Sequence, residues 1–358
     1  MLKIAARFKK CGWLYRIGTF TNGTRYGGDF LGIKNEDINF YGNKLWASFF
    51  VIPYQMFKDS SKIDVFYVAS THWYTVIPSL VARIIKKKVV LGVTLSMTDS
   101  PASRPNKLLK KPYYWFKNIQ FKFASFIFVN SPLLAEECKS CGYGDDVIKL
   151  INNPVDTSKY YPVSKEEKKR LRIQKALNPD SLTILFVGSF NKRKGCDILP
   201  AIFDGLFSKF NIRVNFVMCG QKGYPETEGI LATIKNCFNG TGNQLLIEEE
   251  VRNTAPYYQM ADLFLFPTTN EGMPNVILEA MSSGCMILCN TLLGITDFVL
   301  DDDFLVTENN ITEYIAKIGA YYKNPNKYKK GIEANREVIE KKFSITSVDN
   351  SIKEVLRS

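Results

Sequence analysis

The chain has 358 residues, 46% of them hydrophobic and 23% charged, which gives about two compact domains and excludes a small disulfide-stapled module, a disordered chain and a collagen-like one. Its formal charge of +12 lies entirely in the first half, where residues 1–163 hold 23 Lys and Arg against 11 Asp and Glu, while residues 164–358 hold 24 of each. One domain is therefore expected to face an anionic surface, phospholipid or nucleic acid, and the other to be electrostatically ordinary.

The N-terminal MLKIAARFKKCGW is basic but lacks an apolar core of signal-peptide length, so a cytoplasmic protein is expected. The longest apolar stretch, Trp46 to Phe57, contains Pro53, Tyr54 and Gln55 and is shorter than the about 20 residues a membrane span needs. Short β-branched and aromatic runs then alternate with helical patterns: 64–68, 88–94, 126–130 and 148–151, followed by 183–188, 214–219, 245–248, 262–266 and 286–289. These runs are nearly continuously apolar, as in parallel sheets covered by helices on both faces, and predict an α/β chain of two Rossmann-like, doubly wound domains. The lysine-rich segment 164–181 offers little apolar face, which puts the boundary near Pro162 and the domains at 1–163 and 164–358. From Asn310 the pattern is successive amphipathic helices, the last starting near Ile345 and able to pack back on the first domain.

Between the first strands, residues 104–124 (RPNKLLKKPYYWFKNIQFKFA) place Trp115, Phe116, Ile119 and Phe123 on one helical face, read as core. Tyr114, Lys117 and Phe121 share another face, with Lys110 and Lys111 at its start and Lys122 beside it. Basic aromatic helices bind membrane interfaces, and with the charge of this half the segment reads as a peripheral membrane surface. Single-stranded nucleic acid also takes aromatic and basic residues together, but no nucleic-acid module signature accompanies them.

Eight cysteines make no dense framework, and Cys196, Cys219, Cys285 and Cys289 lie in or beside apolar runs, as reduced core thiols do. Cys138 and Cys141 have CxxC spacing, yet no second CxxC follows and the one histidine, His72, is distant in sequence. Metal is expected to be absent.

Two segments carry chemistry. In TILFVGSFNKRKGCDIL a strand ends at Gly188, and Lys192, Arg193 and Lys194 precede a helix that opens after Gly195. Basic side chains at a strand C-terminus and a helix N-terminus make a diphosphate cradle. In FPTTNEGMPNVILEAMSSGCMILCN, Pro274 suits a first helical position and Gly284 a helix end, predicting a helix over 274–283. Glu271 then precedes the helix and Glu279 sits on its second turn, levels that suit gripping two parts of an elongated ligand. The amides of Met273, Asn275 and Val276 open a helix N-terminus able to receive a phosphate.

Together with VNFVMCG (214–220) and SPLLAEECKSCGYGDDVIKLINNPVDTSKYYP (131–162), these segments resemble the retaining GT-B glycosyltransferases of family 4 type, whose E-x7-E element matches Glu271 to Glu279. The resemblance implies two Rossmann-like domains facing a cleft, a nucleoside-diphosphate sugar as donor, and no cofactor. It implies that Glu279 holds the ribose hydroxyls, Lys194 the diphosphate and Glu271 the transferred sugar, with Arg193 assisting. Gly188, Ser189, Gly220, Gly272, Pro274 and the 273–276 amides would line the donor, and the base would rest near Gly220 and Arg252. Ser189 stands where the family usually has arginine, so Arg193 or Lys192 would supply that charge. On the acceptor side the candidates are Gly27, Gly28, His72 and Ser96, the last in place of the family's histidine. The implied partner is a glycan or lipid-linked glycan acceptor of bacterial surface polysaccharide assembly, reached at the inner face of the cell membrane. The alternative implied by Ser189 and Ser96 is a nucleotide-sugar-binding partner subunit with weak turnover.

Overall fold

The computed structural model describes residues 17–19, 38–40, 44–69, 71–94, 100–102, 111–292, 294–299 and 301–357. The chain divides into two units, Met1–Leu150 and Ile151–Ser358. The division falls ahead of the boundary expected at 163 because residues 151–163 fold onto the second unit. Val155 N–H donates to Phe343 O at 2.7 Å, Ile345 N–H donates to Val155 O at 3.2 Å, and Ser282 Oγ donates to Tyr160 O at 2.5 Å.

In the first unit β1 (Ile17–Thr19) and β2 (Ile38–Phe40) pair in parallel. A separate parallel sheet takes β3 (Val65–Val68), β4 (Lys88–Val93), β5 (Phe126–Val129) and β6 (Ile148–Leu150) in simple sequential order. Val89, Leu91 and Val93 of β4 are fully buried and pack with Ile127, Val129, Leu134 and Cys138 in this unit's core. Helical segments 44–58, 76–84 and 111–119 pack beside one another, the middle one touching both others.

The second unit is a six-stranded parallel sheet in the order β12-β11-β10-β7-β8-β9. Its strands are β7 (Leu182–Val187), β8 (Val214–Gly220), β9 (Gln244–Glu249), β10 (Leu263–Phe266), β11 (Met286–Asn290) and β12 (Leu305–Val306). Numbered within the unit this is 3-2-1-4-5-6, the doubly wound order in which ligands bind where the strand sequence reverses. That point lies between β7 and β10, which pair Ile184 with Leu263 and Leu185 with Phe264. Every residue of β7, β10 and β11 is buried, so continuous apolar runs are what sheets covered on both faces require. The two-residue β12 carries too little local signal to be read as a strand in sequence.

The helix Lys165–Gln174 is fastened by charge rather than by an apolar face. Buried Arg172 bonds Asp262 Oδ2 at 2.7 Å and donates to Met260 O at 2.9 and 2.8 Å. The last helix runs Ile345–Arg357 and buries Val348 and Ile352.

Candidate functional site

The two loops at the reversal point are joined tightly. Gly188 N–H continues the pairing with Cys219 O at 3.0 Å after β7 ends, and Phe190 N–H reaches Gln221 O at 3.0 Å. Gly220 permits that approach, since a Cβ there would stand 1.8 Å from Gly188 O. Asn191 then caps a single 3-10 turn, Lys192–Lys194, its side chain accepting from Lys194 N–H at 3.0 Å. Gly195 ends the turn at φ +74°, and a Cβ on it would stand 2.0 Å from Pro267 O, so the position needs glycine for both backbone angle and space. Across the junction Arg193 O accepts from Thr269 N–H at 3.0 Å and lies 3.1 Å from Thr268 Oγ1.

This clasp brings three donors to one carboxylate oxygen. Glu271 Oε1 accepts from Lys194 Nζ, from the Arg193 guanidinium at 3.2 Å and from Thr268 Oγ1 at 2.9 Å. The Glu271 and Lys194 side chains are 11% and 14% exposed, shielded enough for charge-assisted bonds to be strong. Arg193 is half exposed and also donates to Asn270 O at 2.9 Å. Lys194 Nζ stands 4.9 Å from the Phe266 ring centroid. Thr268 is itself held from behind, because buried Asn290 donates to Thr268 O at 2.8 Å and accepts from Tyr314 Oη at 2.9 Å.

The helix runs Asn275–Ser282 with Pro274 as its N-cap and Ser283 as its C-cap, followed by Gly284 at φ +73°. Pro274 thus stands one position earlier than the sequence suggests. Met273 is buried, and its carbonyl accepts from Asn153 Nδ2 at 3.0 Å. Gly272 O is approached by Gly294, where a Cβ would stand 2.2 Å away. Gly188 and Ser189 are half-buried beside the clasp, and Asn275 and Val276 open the helix as expected. Arg252 is exposed in the loop after β9.

Glu279 is 7% exposed and lies among phenols. Burial first, and the Glu279 charge second, push the Tyr160 and Tyr258 phenols above their ordinary range. The two rings meet edge-on at 5.7 Å, and Tyr160 Oη is 3.0 Å from Thr254 Oγ1. Sequence reading missed Asn153, Tyr160, Asn191, Tyr258, Thr268, Asn290 and Gly294. Asn191 had a usable signal, a cap residue three positions before Lys194; the others are recruited from distant segments.

In the first unit His72 follows β3, stacked on Tyr74 at 4.9 Å, with its carbonyl accepting from Gln120 Nε2 at 3.3 Å. Gly27, Gly28, Ser96 and Lys110 lie outside the described residues, as does the side chain of Lys111. The face expected to meet a membrane is partly inverted. Lys117 and Phe121 are buried, each 2% exposed, whereas Trp115, expected in the core, is 70% exposed. The reason is polar: buried Gln120 donates to Lys117 O at 2.7 Å and accepts from Thr75 Oγ1 at 2.9 Å, turning that side of the helix inward. Tyr114 is half-buried and Lys122 exposed.

Among the described residues the cysteines are all free thiols, no three of the potential ligand side chains cluster as a metal site, and no helix is long and apolar enough to cross a membrane.

Residues 167–338 match the family model described as Glycosyl transferases group 1. The chain is 26% identical over 199 residues to the alpha-galactosylglucosyldiacylglycerol synthase of Streptococcus pneumoniae, covering 55% of this chain and 51% of that protein. It is 27% identical over 177 residues to the capsular polysaccharide biosynthesis glycosyltransferase CapM of Staphylococcus aureus, covering 48% and 45%. The matches span about half the length of these curated relatives, or less. In fold the chain is similar to Anabaena Alr3699/HepE, solved in complex with UDP-glucose, at TM-score 0.77 and 16% identity over 99% of this chain and 95% of that one. The matched residues 167–338 contain both loops of the clasp and the helix bearing Glu279.

Proposed function

We propose that the protein is a retaining glycosyltransferase that moves a sugar from a nucleoside-diphosphate sugar to a glycan or lipid-linked glycan acceptor in bacterial surface polysaccharide assembly, working without a metal at the inner face of the cell membrane. The observation that carries this reading is the meeting of Lys194, Arg193 and Thr268 on Glu271 at the reversal point of a 3-2-1-4-5-6 sheet. Glycolipid and capsule glycosyltransferases among the relatives support the acceptor class, and the UDP-glucose complex of a similar fold supports the donor class.

In this reading Glu271 spends one oxygen on the cationic loop and offers the other to hydroxyls of the transferred sugar, for which a carboxylate is a good acceptor. Lys194, prepositioned by that carboxylate, meets the diphosphate as it leaves. The bond from sugar C1 to the diphosphate breaks with its electron pair going to the phosphate oxygen. The acceptor hydroxyl oxygen bonds C1 on the same face, and its proton passes to the departing diphosphate. A lysine held beside that oxygen offsets charge as it develops, the kind of contribution that lowers a barrier most. Glu279 would hold the ribose.

Calorimetry with UDP-, GDP- and ADP-sugars, followed by release of nucleoside diphosphate on addition of acceptor, tests the reading. Glu279→Ala should weaken binding of both the nucleotide sugar and the free nucleotide. Glu271→Ala should leave free-nucleotide binding in place and lose transfer. Unchanged nucleotide binding in Glu279→Ala removes the ribose assignment.

A further inference from the structure

Among the described residues of the first unit, exposed large apolar side chains are concentrated on one element that the donor chemistry does not use. Residues 44–58 form an unbroken helical stretch, α over Lys44–Trp46, π over Ala47–Val51 and α over Ile52–Lys58. Ala47, Ser48, Pro53 and Met56 turn inward. Trp46, Phe50 and Tyr54 are 61%, 59% and 68% exposed, and Leu45, Phe49 and Phe57 are exposed beside them. The wide π turn keeps so many large side chains on the outer surface, because each residue there advances by less than an α-helical step. Trp46 and Phe50 pack ring to ring at 4.9 Å.

Along the chain the charge is balanced close to this element, where Glu36, Asp37, Asp59 and Asp64 stand against Lys34, Lys44, Lys58 and Lys62, and becomes basic beyond it. From Ile38 to Lys58 the sequence contains no Asp or Glu, and from 65 to 135 it contains ten Lys and Arg against one acid, Asp99. Helix 76–84, which packs against 44–58, ends in exposed Arg83 and Ile84 and leads to exposed Lys86. Helix 111–119 packs on that same helix and exposes Tyr113 and Trp115. Contiguous exposed large apolar side chains of this extent mark an interaction surface. Trp and Tyr set among basic residues suit the headgroup level of an anionic bilayer, where ring faces bury and polar edges stay wet. Pairing with a second copy would bring two first units, each carrying the whole +12 excess, against one another, and their like charge opposes that.

We propose that helix 44–58 is an interfacial anchor that lies in the headgroup plane of an anionic bilayer, inserting Trp46, Phe49, Phe50, Tyr54 and Phe57. The transferase reading enters only in supplying a reason for the protein to be at a membrane; the surface itself stands on the first unit. This places the anchor ahead of the 104–124 segment, of which Trp115 and Tyr113 form a secondary contact.

The test is flotation of the full-length protein with phosphatidylglycerol-containing and pure phosphatidylcholine vesicles at low and high salt, comparing wild type with Phe50→Glu/Tyr54→Glu. Both sites are exposed, and the thermal unfolding midpoint serves as the folding control. The expected result is salt-sensitive binding to the phosphatidylglycerol vesicles alone, falling at least about ten-fold in the double variant, with an unchanged midpoint and unchanged nucleotide-sugar binding. Trp46→Glu should fall likewise. Wild-type protein that ignores phosphatidylglycerol at low salt overturns the proposal, as does a double variant that binds as wild type does. So does sedimentation velocity showing a wild-type dimer that the double variant dissolves. A protein that binds vesicles but no nucleotide sugar would sink the transferase reading and leave this one standing.

Discussion

Glu271 Oε1 accepts from Lys194, Arg193 and Thr268, and the three donors differ in what their loss should do. In the proposed reaction Lys194 is the cation nearest the leaving diphosphate, so in Lys194→Ala turnover should fall at least about ten-fold, 1.4 kcal/mol or more; a fully active variant removes the cradle. Arg193 is half exposed, so solvent screens its contribution and Arg193→Ala should be the milder lesion. Thr268→Val keeps the shape but deletes the hydroxyl that bridges Glu271 and Arg193 O. One hydrogen bond of this kind contributes about 1 kcal/mol, so steady-state kinetics should show a fall of several-fold, expressed in kcat rather than in nucleotide affinity.

The elements that hold these side chains are constrained most where backbones approach. At Gly195 the left-handed φ and the carbonyl of Pro267 2.0 Å from any Cβ act together, since a left-handed L-residue costs about 1–2 kcal/mol before any clash. Gly195→Ala should therefore lower the unfolding midpoint and impair donor binding together; a variant with normal stability and normal binding contradicts the clasp. The helix Lys165–Gln174 shows how poorly apolar patterning reports docking. Its polar sequence offers little apolar face, yet Arg172 buries against Asp262 and Met260 O. Breaking a buried pair by removing one partner costs about 3–5 kcal/mol, so Arg172→Ala should show a large loss in denaturant titration, whereas Lys169→Ala on the exposed side should be nearly silent.

Through the whole molecule, thiol burial sets an alkaline limit. Burial pushes Cys138, Cys196, Cys219, Cys285 and Cys289 from 9.0 up to about 12. A group whose proton is held more tightly in the folded state stabilises fully below its unfolded pKa and progressively less as pH climbs towards the folded one. The unfolding midpoint should therefore be insensitive to these groups below about pH 9 and decline between about pH 9 and 12, a decline that Cys285→Ala and Cys289→Ala should lessen. Under native conditions an alkylating agent should modify exposed Cys141 well before the buried thiols, because the reactive form is the thiolate and it must be reached; mass spectrometry of tryptic peptides reads the order.

What sequence alone determined here is local: the continuously apolar runs that became β3 to β11, the helix that starts beside Pro274, the basic loop 192–194, and a positive charge confined to the first half. Strand and helix patterns depend on residue type at fixed spacing, so neighbours in sequence suffice to reveal them. Tertiary structure decided the rest. Strand order set β7 beside β10 and so delivered Thr268 and Glu271 to Lys194 from 74 and 77 positions along the chain. It drew 151–163 into the second unit through the bridge at Val155 and the hydrogen bonds of Asn153 and Tyr160. It also chose which side of each first-unit helix meets the core, burying Lys117 and Phe121 while leaving Trp46, Phe50 and Trp115 in solvent. An amphipathic pattern with two apolar sides fits either orientation, and only the neighbours it packs against, here a hydrogen-bonded Gln120, select between them.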